Sequence, residues 1–89
     1  MQVLRIKESA LRHGLTREDI SHAYDMAIFG DVLDPDNDPP KLLFIGPDEA
    51  ANLLELIGGD PESGERVIWH ADRLSAQYHK LLPKTGGSL

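Results

Sequence analysis

The sequence predicts an α+β domain: N-terminal helices packed on a small antiparallel sheet, a meander of at least three strands, with a closing C-terminal helix. Three observations carry this expectation. Apolar residues recur at helical spacing before residue 30, apolar runs of strand length lie between residues 41 and 70, and helical spacing returns after residue 72. The strand-like runs are joined by short polar segments rich in Gly, Pro and Asp, the pattern of neighbouring antiparallel strands.

Each element has its own signals. Val3 to Ile6 is long enough for a short first strand. Glu8 to His13 reads as a short helix that Gly14 ends at the C′ position. Thr16 is an N-cap, with Asp19 at the reciprocal position of a capping box and Leu15 and Ile20 placed as a hydrophobic staple. Ile20, Ala23, Tyr24, Ala27 and Ile28 form one apolar stripe, and Gly30 is expected to close the helix. The segment 34–40, Asp-Pro-Asp-Asn-Asp-Pro-Pro, reads as an exposed loop. Lys41 to Ile45 is a buried strand, Gly46-Pro47-Asp48 a turn and Asn52 to Ile57 a second strand. Residues 58–64 form a further loop, and Glu65 to His70 a third strand. On that strand alternation puts Ile68 and His70 on one side and Val67 and Trp69 on the other. A helix from about Asp72 to Leu82 follows, with Leu74, Tyr78, Leu81 and Leu82 on one face and Arg73, Gln77 and Lys80 on another, until Pro83 stops it. The expected organisation is one domain over 1–83 and a disordered tail over 84–89.

Composition narrows the function classes. At 89 residues, 40% hydrophobic and 27% charged, the chain has the balance of a small globular domain. No apolar run approaches the ~20 residues of a membrane-spanning helix, and the first residues carry no signal-peptide core, so a cytoplasmic protein without membrane partners is expected. The absence of cysteine excludes disulfides, a thiolate nucleophile and a Cys-based zinc site. Charge is segregated along the chain. Residues 1–24 carry four bases against three acids, residues 25–65 eleven acids against Lys41 alone, and residues 66–89 four bases against Asp72. The net charge of -6 argues against nonspecific nucleic-acid coating and for a soluble acidic surface, yet leaves room for a cationic site where the two ends meet.

Several motifs dissolve on inspection. Asp34, Asp36 and Asp38 imitate a calcium loop, but Pro39 stands at its glycine position and Ile45 at its bidentate glutamate position. The four histidines lack metal-ligand spacing, and neither Gly58-Gly59 nor Gly86-Gly87 adjoins a P-loop Lys-Ser/Thr, so no metal and no cofactor are expected. Leu82-Pro83-Lys84-Thr85-Gly86 resembles a sortase signal and is read as coincidence or an added tail. What remains is a histidine with cations near it. Metal-free cleavage of a phosphodiester needs a base, charge stabilisation and a proton donor, roles that His70, Arg73, Tyr78, Lys80, His13 and Arg12 could fill. The plain alternative is that His70 caps a strand edge and Arg73 decorates a solvated helix. Glu55 shares a strand face with Leu53 and Ile57, and a structural ion pair to Arg66 or Arg73 is its expected explanation.

Three segments taken in order resemble BrnT-type toxins and related small toxin-like proteins. Arg12-His13-Gly14-Leu15-Thr16-Arg17-Glu18-Asp19-Ile20 is similar to the family's "(K/R)HGVSxE(D/E)I" opening. Ile45-Gly46-Pro47-Asp48 with Asn52-Leu53-Leu54-Glu55 is similar to its "IGPDxxGNLLEV", and Val67-Ile68-Trp69-His70-Ala71-Asp72-Arg73 through Tyr78 to its closing "VIHAMRARxKY". The resemblance covers roughly residues 9–82. It implies a RelE/ParE-like fold, messenger-RNA endonuclease activity and a small antitoxin protein as partner. His13, Glu55, His70, Arg73 and Tyr78 keep the pattern. Asp72 replaces a methionine, Ser75 an arginine and Ala51 a glycine, and Trp69 is an extra residue before the histidine.

The leading expectation is therefore the toxin component of a toxin–antitoxin system, a metal-independent endoribonuclease. In it His70 is general acid or base, Arg73 the transition-state cation, and His13, Tyr78 and Lys80 supporting groups, with Arg12 and Arg17 binding RNA. The alternative is a binding module of the same fold that has lost nuclease activity, and a metal-dependent enzyme is a third reading. A homodimer is compatible with all three. His13 is expected to approach His70, with Arg12 and Arg73 on the same surface and the acidic segment 31–38 outside it.

Overall fold

The computed structural model describes residues 2–82, in which five strands form one mixed sheet and helical segments pack beside it. The strands are β1 (Val3–Ile6), β2 (Phe29–Asp34), β3 (Lys41–Pro47), β4 (Leu53–Glu62) and β5 (Glu65–Arg73), in the spatial order β1-β5-β4-β3-β2. A 3-10 turn spans Glu8–Leu11. The helices are α1 (Arg17–Asp25) and a single turn, α2 (Ala76–His79). No described helix is long and apolar enough to cross a membrane. The expected disordered tail over 84–89 lies outside the described residues.

The α+β class and the antiparallel meander are present, with four strands in the meander. The sheet as a whole is not antiparallel. β1 returns to pair parallel with β5, Val3 opposite Glu65 and Ile6 opposite Ile68, and the Glu8–Leu11 turn and α1 supply the crossover that a parallel pair requires.

Other boundaries move for identifiable reasons. Thr16 caps α1 as the sequence indicates: its Oγ1 accepts from the Asp19 N–H while the Thr16 N–H donates back to Asp19. The helix stops at Asp25 rather than Gly30, because the Ile28 N–H already donates to the Ile45 carbonyl and Phe29–Asp34 pairs with β3. Gly46 and Pro47 belong to β3, and the turn is built by Asp48, whose carboxylate accepts from the Ala50 and Asn52 N–H groups. Residues 58–62 extend β4 instead of forming a loop, leaving Ser63-Gly64 as the hairpin tip. β5 runs on to Arg73, so the long C-terminal helix expected from Asp72 shrinks to one turn.

One side of the sheet carries the main core. Ala10, Leu15, Ile20 and Ala23 from the crossover pack on Leu54, Leu56, Ile68 and Ala71, all buried. α1 lies so close to β3 that a β carbon on Gly46 would sit 1.9 Å from the Ala23 carbonyl oxygen, so this contact admits only glycine. Arg66 seals the rim of this core. It stacks 5.1 Å from the Phe44 ring centroid, donates to the Tyr24 hydroxyl at 3.0 Å and forms a two-point pair with Asp60 at 2.8 Å. That pair holds the Asp60 carboxyl below its usual range.

β5 is bulged. Ile68 pairs with Gly58 and His70 with the preceding Ile57, so Trp69 is an extra residue without a partner on β4. The bulge resets alternation. Ile68 faces the helices while His70 faces the opposite side with Ile57 and Glu55, and the expectation that Ile68 and His70 share a side is corrected.

Two measurements check this packing. Ala51 is held at φ 69°, the left-handed region that costs a side-chain-bearing residue about 1–2 kcal/mol, so Ala51→Gly should raise stability by about 1 kcal/mol in urea denaturation. Asp60→Asn should lower the urea midpoint at neutral pH. Because the folded Asp60 is lowered from 3.8, its stabilisation is complete above that value and is lost as pH falls through the lowered one, so the gap between variant and wild type should close in acid.

Candidate functional site

The side of the sheet opposite α1 carries a cluster centred on Glu55. This residue is only 5% exposed, on the central strand β4, and is the one buried charged residue among those described. Its two oxygens serve two elements. Oε2 lies 3.0 Å from His70 Nε2, and Oε1 accepts from the Ser75 N–H at 2.8 Å, at the start of α2. The expected partners Arg66 and Arg73 are elsewhere, since Arg66 is engaged by Asp60 and Tyr24 on the helix side. Glu55 thus engages Nε2, and His70 Nδ1 has no hydrogen-bond partner among the described residues.

His13 completes the cluster from the other end of the chain. After β1 ends, the backbone continues along the β5 edge, where the Lys7 N–H donates to the Ile68 carbonyl at 2.9 Å and the Ser9 hydroxyl to the Trp69 carbonyl at 2.7 Å. This path brings the His13 ring edge-on to His70, with centroids 5.6 Å apart, and its Nδ1 to 3.5 Å from Asp72 Oδ2. Two imidazoles thus stand side by side, each backed by its own carboxylate. Such an arrangement can hold one ring as a base and the other as a proton donor.

The remaining expected site residues scatter. Arg73 is opposite Leu54, whose side chain lies in the helix-side core, and its charge acts on Asp48; a spacing of three residues within a strand turns Arg73 to the side away from His70. Asp48 itself is held below the usual carboxylate range, first by the Asn52 backbone N–H. Arg17 donates to the Ile6 carbonyl at 2.7 Å and pins the end of β1. Arg12 is exposed just before His13, and Tyr78 and Lys80 lie in and after α2 with no side-chain contact to the imidazoles among the described hydrogen bonds and ion pairs. The expected common surface for Arg12, Arg73 and the two histidines therefore holds the histidines and two carboxylates but not Arg73.

Asp72 and Ser75 are the cluster members that sequence reasoning did not assign. Two-residue alternation from His70 would have pointed to Asp72 had the strand been carried past His70. Among the described residues no three His, Asp or Glu side chains form a group able to hold a metal ion. No protein-family model matches the chain, and none of the curated proteins or solved structures compared with it does either. The class defined by fold and site is thus a small α+β domain with a mixed five-stranded sheet and a paired-imidazole cluster on the side opposite α1.

Glu55→Ala removes the acceptor for both the Ser75 N–H and His70. A cost of about 2–3 kcal/mol in denaturant stability is expected, with faster hydrogen exchange at the Ser75 amide, and Glu55→Gln should recover part of both.

Proposed function

We propose that the chain is a toxin-like, metal-independent endoribonuclease with a RelE/ParE-like fold, controlled by a small antitoxin protein. The observation that supports it most is the His13–His70 pair, 5.6 Å apart with a carboxylate behind each ring. His70 Nδ1 takes the proton of an RNA 2′-hydroxyl. The 2′-oxygen attacks the adjacent phosphorus, the bond from phosphorus to the 5′-oxygen breaks, and His13 gives its ring proton to the leaving oxygen. The products are a 2′,3′-cyclic phosphate and a 5′-hydroxyl. Arg12, exposed beside His13 and without an ion-pair partner among the described residues, takes the charge-stabilising role in place of Arg73.

Two details lend weight to the family resemblance. Ala51, at the position where the family pattern has glycine, has the left-handed backbone that favours glycine. Trp69, the extra residue relative to that pattern, is the residue that the β5 bulge absorbs. The alternative, a binding module without nuclease activity, is favoured by Glu55 and Asp72, which set negative charge where a phosphate would approach.

RNA cleavage separates the two readings. The purified protein should cut RNA in the presence of a chelator and leave cyclic phosphate ends. His70→Ala and His13→Ala should each slow it by about 100-fold or more, whereas Arg73→Ala should cut at close to the wild-type rate. Induced expression should arrest growth, relieved by the two histidine substitutions. Intact RNA together with undisturbed growth would put the binding module in its place.

A further inference from the structure

On the same side of the sheet as the imidazole pair, opposite α1, an open cleft of about 420 Å³ lies along β5. Val67 lines it, and the Trp69 indole and Pro39 meet over Gly59, where both would lie 3.1–3.2 Å from a β carbon. Val67 and His70 face one side because of the bulge, so the cleft and the imidazole pair are consecutive stations on one strand. The half-buried Trp69 lines this cleft together with Pro39 and Pro61, and an aromatic ring in such a cleft can stack a flat heterocycle.

The charged lining narrows the ligand. Lys7 is exposed at the cleft with no ion-pair partner among the described residues, and Arg5 spends one nitrogen on Glu65 at 3.2 Å, leaving its other donors available. Both cations suit a phosphodiester backbone. Glu62 and Glu65 also line the cleft, and an ionised carboxylate accepts hydrogen bonds but donates none. A base that presents an exocyclic amino group fits these acceptors, and guanine offers its N1–H and N2–H side by side to one carboxylate. Uracil turns carbonyl oxygens toward them.

We propose that this cleft is a nucleobase subsite for single-stranded RNA, stacking a base that bears an exocyclic amino group, guanine foremost, on the Trp69 indole. The proposal rests on the RNA reading of the neighbouring imidazoles, but its test does not need cleavage. Trp69 is the chain's single tryptophan, so its fluorescence reports the cleft alone.

The wild-type protein is titrated with 2′-O-methyl tetranucleotides, which lack the nucleophile and stay intact. The sequence UUGU should quench Trp69 saturably and bind about tenfold more tightly than UUUU, with affinity falling as salt rises. By anisotropy of end-labelled UUGU, Trp69→Ala should weaken binding about tenfold or more, Trp69→Phe should retain it within about threefold, and Glu65→Gln should narrow the preference over UUUU. Absent quenching by either oligonucleotide, equal affinity for Trp69→Ala and wild type, or quenching by a protein partner but not RNA overturns the subsite. Binding as described without cleavage of ordinary RNA leaves the subsite standing and removes the nuclease. Cleavage unaffected by Trp69→Ala does the reverse.

Discussion

The Glu55 carboxylate is the joint on which the side opposite α1 is organised. A buried charge on the central strand is tolerated only when its oxygens are met, and here one meets an imidazole and the other a backbone N–H. The second bond turns the chain out of β5 into α2. The first orients the His70 ring. One side chain thereby couples the end of the sheet to the imidazole pair beside it, which explains an acid at a position flanked by the buried Leu54 and Leu56.

The division of labour between the two sides of the sheet follows from the crossover. Apolar residues of α1 and the preceding turn cover one side and need close approach, which Gly46 permits. The same crossover hugs the β5 edge and delivers His13 to the far side. Stability and site are built by one segment, with Ala10, Leu15 and Ile20 buried in the core and His13 between them in sequence at the rim.

Much of the fold was legible because local signals agreed with the final packing. The Thr16–Asp19 capping box, the β1 segment and the apolar run from Lys41 all act within a few residues, and they are found where the pattern puts them. The misplaced boundaries come from long-range competition. Gly58 and Gly59 read as loop, yet backbone pairing to β5 holds them in a strand, and Asp72-Arg73 reads as helix, yet β4 supplies ladder partners. The approach of His13 to His70 was legible from topology. The loss of Arg73 was not, since it hangs on the strand reaching three residues past His70, and neither was the role of Asp72, which the same extension creates.

The parallel pairing of β1 with β5 joins residues 62 positions apart, Val3 with Glu65 and Ile6 with Ile68. A chain emerging from the ribosome can form the β2–β3–β4 part of the meander early, but its first strand must wait, unpaired, for the fifth. His13 and His70 sit on the two sides of that final closure. The histidine cluster consequently comes together only once β5 has been made, after the β2–β3–β4 pairings are already possible.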